Sequence, residues 1–186
     1  MNVWLQDLKV DASWTLFLDR DGVLNRRIVD DYVCNWAQWE WLPGTLEALA
    51  NLSEIFGRMV LVTNQRGISR GLMSETDLNR IHSAMLADIL AAGGRLDAIY
   101  YCPHGRDAGC DCRKPRPGMI RQARNQFPEI RPSRSIMVGD SPSDMELAIP
   151  EGIATVFIGA LPDSLKGRVN ASFPSLIEFS EAILPV

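Results

Sequence analysis

Residues 15–23 read Thr-Leu-Phe-Leu-Asp-Arg-Asp-Gly-Val, an apolar run that ends in two carboxylates and a glycine. The short apolar run predicts a buried strand. Because residues two apart in an extended chain point to the same side, Asp19 and Asp21 are presented together at the strand end. Such a pair suits a hard cation such as Mg²⁺, which prefers oxygen ligands. Turns are also rich in Asp and Gly, so the motif alone is equally compatible with a tight turn.

Similar apolar runs alternate with amphipathic stretches along the chain. The predicted strands are Thr15–Leu18, Met59–Val62, Ala98–Tyr101, Ser135–Val138 and Thr155–Ile158, and the predicted helices are Thr45–Ile55, Glu75–Ala92, Pro117–Phe127 and Ser143–Ile149. Ser74, ahead of the second helix, is a candidate N-cap. The alternation indicates an α/β fold with a Rossmann-like, doubly wound, mostly parallel sheet. Right-handed crossovers place all strand carboxyl ends at one edge, where ligands bind.

Composition is that of an ordinary globular chain. The 186 residues are 46% apolar and 23% charged, so we expect residues 1–186 to form a single domain. With 19 basic and 23 acidic residues the net charge is −4, which does not favour nucleic acid or an anionic membrane as a partner. No secretory signal pattern or long apolar run is visible. We therefore expect a cytoplasmic protein, either a monomer or a small homo-oligomer.

Polar side chains gather where other predicted strands end or where a helix begins at the same edge. They are Thr63, Asn64 and Gln65, then Arg113 and Lys114, and finally Asp140 and Asp144. Each has an ordinary structural explanation as a turn former, a helix cap or a surface charge. Their joint placement at one edge favours a site that combines carboxylates for a cation with donors for an anion.

A second cluster lies between Cys102 and Cys112. It contains three of the four cysteines and one of the two histidines: Cys102, His104, Cys110 and Cys112. These residues supply two ligands from each arm of a loop, at spacings that a tetrahedral zinc ion can use. A disulfide cannot employ all four, and a C-x-C pair is a poor disulfide in a reducing cell. Four protein ligands leave no open position, so we predict a structural zinc whose loop delivers Arg113 and Lys114.

The segment Arg26–Trp41 interrupts the alternation of strands and helices. It contains Trp36, Trp39 and Trp41, which we expect to form a small satellite core together with Cys34. His82 lacks neighbouring metal-ligand residues in the sequence, so we expect it to lie on the surface or in the core of its helix.

Four motifs occur in an order typical of one family. F-L-D-R-D-G-V at 17–23, V-T-N-Q at 62–65, R-K-P at 113–115 and G-D-x-x-x-D at 139–144 resemble those of the haloacid dehalogenase (HAD) superfamily of phosphohydrolases. More narrowly, T-N-Q-R-G-I-S-R-G at 63–71 and C-P-H…C-D-C-R-K-P-R-P-G-M at 102–119 resemble the branch of heptose bisphosphate phosphatases and histidinol-phosphate phosphatases. The resemblance covers about residues 15–160 and implies a phosphoric monoester hydrolase that acts on a small phosphorylated sugar. Within that branch it favours heptose 1,7-bisphosphate, an intermediate of heptose biosynthesis.

The resemblance also implies roles for individual residues. Asp19 would be the nucleophile that forms an aspartyl-phosphate, and Asp21 would protonate the leaving alkoxide and then activate water. Mg²⁺ would be held by the Asp19 carboxylate, the Asp21 carbonyl and Asp140. Thr63 and Lys114 would hold the phosphoryl oxygens. The residues expected to bind the rest of the substrate are Tyr32, Asn64, Gln65, Arg66, Arg113 and Lys114. We further expect Asp144 to brace Lys114 or a metal-bound water.

Several alternatives stay open from the sequence. Histidinol phosphate or another small phosphate ester is the alternative substrate. Arginines near the site could hold a second phosphate, although exposed arginines are common: Arg26, Arg27, Arg66 and Arg70. A zinc-stabilised binding module is disfavoured by the acidic balance and by the full set of candidate catalytic acids. A phosphotransferase on the same scaffold would carry a larger cap domain than the gaps here allow.

Overall fold

Strand β1 (Thr15–Leu18) is buried along its whole length in the computed structural model, which describes residues 4–5, 8–28 and 31–184. The other strands are β2 (Arg58–Asn64), β3 (Ala98–Cys102), β4 (Ser135–Gly139), β5 (Ala154–Ile158) and β6 (Ala171–Phe173). They form one sheet in the order β3-β2-β1-β4-β5-β6, and every neighbouring pair is parallel. The predicted doubly wound parallel sheet is confirmed.

Helices cover both faces of this sheet, because successive strand residues point to opposite sides. The helices are α1 (Thr45–Ile55), α2 (Glu75–Ala91), α3 (Gly118–Gln126), α4 (Pro142–Ala148) and α5 (Leu176–Ile183). Leu16 and Leu18 pack in one core with buried residues of α1, α2 and α5. Phe17 packs in a second core, on residues of α3 and α4.

Predicted and observed strands and α-helices agree closely up to residue 158, and two elements after it were not predicted. The Ser74 hydroxyl accepts a hydrogen bond from the Asp77 backbone N–H at 3.1 Å, which confirms the predicted cap of α2. Strand β6 and helix α5 are absent from the sequence-based prediction. β6 is only three residues long and includes an exposed serine, so it presents no apolar run for a pattern to detect.

The tryptophan segment packs largely as expected, although Val29 and Asp30 within it lie outside the described residues. Trp39 and Cys34 pack on a small core around Val33, as predicted. Trp41 instead packs against the main core, so its predicted place in a satellite core is wrong. Trp36 stacks on Trp39 at 5.2 Å between ring centroids and remains 36% exposed.

The strand order reverses between β1 and β4, and ligands bind at such a switch point. The connections that leave this edge are loops and short 3₁₀ turns in the described part of the chain, so no large cap covers it. Among the described residues, no helix combines the length and apolarity needed to span a bilayer.

Candidate active site

The end of β1 carries the two predicted carboxylates. The Asp19 backbone N–H donates to the Val138 carbonyl at 3.0 Å, which extends the β1–β4 ladder by one residue. The side chains of Asp19 and Asp21 both line a cavity of about 380 Å³. The prediction that alternation in an extended chain would present the two carboxylates together is confirmed.

Lys114 reaches this cavity from the other side and is almost fully buried. Its Nζ lies 2.8 Å from Asp19 Oδ1 and 2.7 Å from Asp144 Oδ1, and it donates to the Val62 carbonyl at 2.9 Å. Burial alone would lower the pKa of Lys114, but the charges of Asp144 and Asp19 outweigh it and raise the pKa. The lysine is therefore a fixed ammonium beside the candidate nucleophile. Of the two roles expected for Asp144, the structure shows it bracing Lys114.

Carboxylates crowd together at the switch point. Oxygens of Asp19, Asp140 and Asp144 lie within 4.8 Å of one another. Burial and the neighbouring Asp19 charge raise the pKa of Asp140 to about 7. Burial also raises the pKa of Asp19 to about 6, with Lys114 opposing the shift. Mutually repelling buried carboxylates are a donor set that a divalent cation neutralises, so Asp19 and Asp140 fit Mg²⁺.

Gly22 allows the β1 loop to approach Asp140. Its φ is +98°, and a Cβ at this position would lie 1.9 Å from Asp140 Oδ2. Only glycine meets both requirements, because it tolerates the left-handed backbone and adds no side-chain atoms. Asp140 Oδ1 also accepts a hydrogen bond from Arg27 Nη2 at 2.9 Å.

Asp21 is held by three neighbours. Asn25 Nδ2 and Arg20 Nη2 each donate to Asp21 Oδ1 at 3.0 Å, and Gln65 Nε2 donates to Asp21 Oδ2 at 2.9 Å. Burial would raise the pKa of Asp21, but the Arg20 charge and these hydrogen bonds outweigh burial and lower it. Sequence reasoning missed Arg20 and Asn25, since alternation along the strand indicated that Arg20 points away from the site.

The predicted role of Gln65 needs correction. Gln65 is fully buried and does not line the cavity. Its Nε2 donates to Asp21 and to Thr63 Oγ1, both at 2.9 Å, and its Oε1 accepts from Arg20. All of its polar atoms are used within the protein, so it orients other site residues rather than binding substrate.

Thr63 and Asn64 end strand β2 at the cavity, as predicted. Asn64 Nδ2 donates to the Lys114 carbonyl at 3.2 Å, and Asn64 Oδ1 accepts from the Lys114 N–H at 3.1 Å. This two-bond clamp positions the backbone that carries the lysine.

The predicted zinc ligands converge. The ligand atoms of Cys102, His104, Cys110 and Cys112 lie within 4.8 Å of one another. His104 Nδ1 is 3.2 Å from Cys112 Sγ, and Cys102 Sγ is 3.6 Å from Cys110 Sγ. Ligands of a tetrahedral zinc ion are separated by about 3.5–3.8 Å, given the usual Zn–S and Zn–N bond lengths. The donor set therefore fits zinc.

Electrostatics of the thiols lead to the same conclusion. Burial and the neighbouring thiols Cys102 and Cys110 raise the pKa of Cys112 to about 12. Burial likewise raises the pKa of Cys102. Thiols packed this closely cannot all ionise unless a cation compensates them, and zinc supplies that charge. Four protein ligands make the site structural, since they leave no coordination position for water.

The zinc loop and the residues that follow it supply part of the basic rim of the cavity. Arg113 donates from Nη1 to the His104 carbonyl at 3.3 Å, which ties it to the cluster. The basic side chains that line the cavity are Arg27, Arg66, Arg70, Arg106, Arg113 and Lys114. Tyr32 also lines it, with the Arg70 guanidinium 5.9 Å from its ring centroid.

Two differences from the predicted rim concern arginines. Arg26 does not line the cavity and instead pairs with Glu40 at 2.9 Å, so its predicted place in a second phosphate site is wrong. Arg106 was missed. The only signal for it was its position inside the zinc loop, between His104 and Cys110.

Comparisons with known proteins agree with this geometry. Residues 111–160 match the family model described as "HAD-hyrolase-like". A D-glycero-alpha-D-manno-heptose-1,7-bisphosphate 7-phosphatase of Mycobacterium tuberculosis (strain ATCC 25618 / H37Rv) is 46% identical over 92% of both chains. A D-glycero-beta-D-manno-heptose-1,7-bisphosphate 7-phosphatase of Pseudomonas putida is 40% identical over 77% of this chain and 81% of its own.

One similar solved structure contains magnesium. The D,D-heptose 1,7-bisphosphate phosphatase of Bordetella bronchiseptica, complexed with magnesium and phosphate, is 36% identical, with a TM-score of 0.80. The match covers 90% of this chain and 96% of that one. These relatives are 36–46% identical to the chain, and each match covers more than three quarters of both proteins. The chain therefore belongs to the heptose-1,7-bisphosphate 7-phosphatase family of HAD-like hydrolases.

Proposed function

We propose that this chain hydrolyses D-glycero-D-manno-heptose 1,7-bisphosphate to heptose 1-phosphate and phosphate, with Mg²⁺ as cofactor. One observation carries the proposal: a buried carboxylate, Asp19, lies 2.8 Å from a buried ammonium, Lys114, at the edge where the carboxyl ends of the strands meet. That pair provides a nucleophile and a phosphoryl-binding cation at one point. The choice of heptose as the sugar of the substrate rests on the names of the relatives.

In the first step an Asp19 carboxylate oxygen attacks the phosphorus atom, and the bond between phosphorus and the sugar oxygen breaks. Asp21 gives its proton to the departing oxygen, so a neutral alcohol leaves. The free site holds the pKa of Asp21 low, whereas an incoming phosphate dianion raises it again and lets the group carry a proton. Lys114 and Thr63 hold the phosphoryl oxygens throughout.

In the second step Asp21, now a carboxylate, takes a proton from water, and the resulting hydroxide displaces Asp19 from phosphorus. Asp19 returns to its carboxylate form and inorganic phosphate is released. When Mg²⁺ is bound, by Asp19, Asp140 and the Asp21 carbonyl, it neutralises charge on the phosphoryl group and on the surrounding acids.

The basic rim supports a substrate with two phosphates. A monophosphate occupies only the position of the reacting phosphoryl group, between Asp19 and Lys114. Five arginines also line the cavity. Arginine forks match phosphate oxygens in pairs, so the rim fits a second phosphate on the same sugar. We expect the α anomer to be preferred, because the α-named relatives match at higher identity and over more of the chain than the β-named ones.

The decisive experiment measures phosphate release from both anomers of heptose 1,7-bisphosphate, from histidinol phosphate and from heptose 7-phosphate, each with Mg²⁺ and with EDTA. The proposal predicts the highest kcat/KM for a bisphosphate anomer and loss of turnover in EDTA. A preference for histidinol phosphate would assign the chain to the other substrate. Equal rates on heptose 7-phosphate would remove the role of the second phosphate.

We also propose that the protein works in the cytoplasm. Three of the four ligands of the zinc cluster are cysteines, which must be reduced to bind zinc, and the cytoplasm keeps thiols reduced.

A further inference from the structure

The mechanism above gives no role to the buried ionisable side chain of His82. His82, on helix α2, is almost fully buried, and its Nε2 lies 3.3 Å from Arg20 Nη1. The two residues are 62 positions apart in sequence. No motif led to this contact, because His82 has no neighbouring ligand or catalytic residue in the chain.

Arg20 is the link between His82 and the candidate acid. It is completely buried, and its guanidinium forms an ion pair with Asp21 at 3.0 Å. The same Nη2 donates to Gln65 Oε1 at 3.1 Å, while Gln65 Nε2 donates to the second oxygen of Asp21. Arg20, Gln65 and Asp21 therefore form a closed triangle, and each oxygen of Asp21 is engaged by a member of it.

The triangle fixes only one end of the guanidinium. At the other end, Nη1 points to His82, and Trp39 lies 5.7 Å from the guanidinium carbon. Arginine has no acceptor atoms, so His82 Nε2 must be the acceptor and its proton must sit on Nδ1. Burial and the Arg20 charge lower the pKa of His82 to about 3, consistent with a neutral ring. A buried donor that loses its acceptor is costly, so removing this ring would drive the guanidinium to reorient.

We propose that His82 is a positioning residue for the reaction: it fixes Arg20, and through Arg20 and Gln65 it aims the Asp21 carboxyl group at the oxygen that leaves. This inference rests on the proposed function, since it assigns Asp21 the role of general acid. It adds a residue of helix α2 to a site otherwise built at the carboxyl ends of the strands.

The role predicts an effect that depends on the leaving group. A sugar alkoxide needs a proton in order to depart, whereas p-nitrophenolate departs without one. We expect His82→Leu to lower kcat/KM for heptose bisphosphate by roughly 10–100-fold, a part of what a general acid contributes. The fall should lie in kcat, with KM little changed. For p-nitrophenyl phosphate, kcat/KM reports formation of the aspartyl-phosphate and should stay within about threefold.

Two further variants separate positioning from packing. His82→Gln places an amide oxygen where Nε2 lies and should recover most of the loss. His82→Asn is equally polar but one methylene too short, and should behave like His82→Leu. If His82→Leu does not fold, the comparison of Gln with Asn gives the same answer. Asp21→Asn removes the general acid itself, so it shows how far kcat/KM for heptose bisphosphate and for p-nitrophenyl phosphate diverge when that acid is lost.

Parallel losses on both substrates, or no loss on either, would overturn the role of His82. The proposed function fails in a different way, through a wild-type enzyme that prefers another phosphate ester. In that case the split is measured with the preferred alkyl phosphate, and the role of His82 is still decided. A wild type that releases phosphate from neither an alkyl nor an aryl ester would overturn both proposals.

Discussion

Asp19 and Lys114 show how one residue contact can define a chemical site. Both side chains are almost entirely removed from solvent, and their ionic atoms lie 2.8 Å apart. Breaking a buried pair by removing one partner leaves an uncompensated charge. Lys114 avoids this cost because Asp144 is a second partner at 2.7 Å. Asp19 is therefore free to react while its neighbour remains paired.

The first prediction concerns the nucleophile. Asp19→Asn keeps the shape of the side chain but removes the attacking carboxylate, while Lys114 keeps Asp144. We expect phosphate release to fall by at least about a thousandfold, as when a covalent nucleophile is removed. The unfolding midpoint and circular dichroism should stay close to those of the wild type. Retained turnover in a folded variant would remove the assignment of Asp19 as nucleophile.

The second prediction concerns Gly22. In Gly22→Ala the new Cβ would overlap Asp140 Oδ2, at a backbone angle that side chains rarely adopt. We expect a weaker apparent affinity for Mg²⁺ and a loss of about 1–3 kcal/mol in the free energy of unfolding. Mg²⁺ titrations of phosphate release and urea unfolding measure these two effects. Gly159→Ala is the matched control, since that glycine also has a positive φ but no atom near its Cβ position. Equal Mg²⁺ affinities in the two variants would contradict the role of close approach.

Strands β2 and β3 and the zinc loop act together as elements. Cys102 is the last residue of β3 and pairs with Asn64, the last residue of β2. Asn64 in turn clamps the backbone of Lys114 after the loop has turned back. The zinc cluster thus closes a loop whose two ends both depend on the sheet edge. We propose that this closure holds the side chains expected to bind phosphate in place.

The third prediction tests this loop. We expect about one zinc ion per chain to survive dialysis in the wild type and to be lost in Cys112→Ser. Loss of roughly 3 kcal/mol of folding free energy would lower Tm by about 6–12 °C. Activity should fall too, because Lys114 lies two residues further on. Metal analysis and thermal unfolding provide the measurements. Cys34→Ser, which changes a thiol outside the cluster, should keep the zinc. A Cys112→Ser protein with full zinc content would defeat the loop argument.

At the scale of the whole molecule, the fold brings acidic side chains close together. Their repulsion is unfavourable unless a cation compensates their charge. A parallel sheet brings the ends of β1 and β4 side by side, so residues more than a hundred positions apart, Asp19 and Asp140, repel each other. We propose that the chain forms one domain, because the strand ends, loops and helix that carry the site meet at one edge of a single sheet. That it acts as a monomer or a small homo-oligomer stays a prediction.

The fourth prediction follows from the raised pKa of Asp140, about 7 against an ordinary 3.8. Between these values the folded state binds more protons than the unfolded state, so the free energy of unfolding contributed by this group falls as pH rises from 4 to 7. The full effect is at most about 4 kcal/mol. Mg²⁺ compensates the ionised group, so its addition should raise Tm more at pH 8 than at pH 5.

Thermal unfolding at the two pH values, with and without Mg²⁺, measures this difference. Asp140→Asn should reduce the pH dependence and weaken the response to Mg²⁺. A shift in Tm by Mg²⁺ that is the same at pH 5 and pH 8 would contradict the prediction.

The sequence by itself determined the parallel sheet, helices α1 to α4, the carboxylates at the end of β1 and the zinc ligands. These are local patterns: apolar runs, caps and short-range ligand spacings reflect the conformation of the segment that contains them. Only the tertiary structure decided that Gln65 orients Asp21, that Arg106 joins the rim and that His82 contacts Arg20. Those contacts join side chains from different elements, and their geometry depends on how helices pack on the sheet. A one-dimensional pattern does not encode that packing directly.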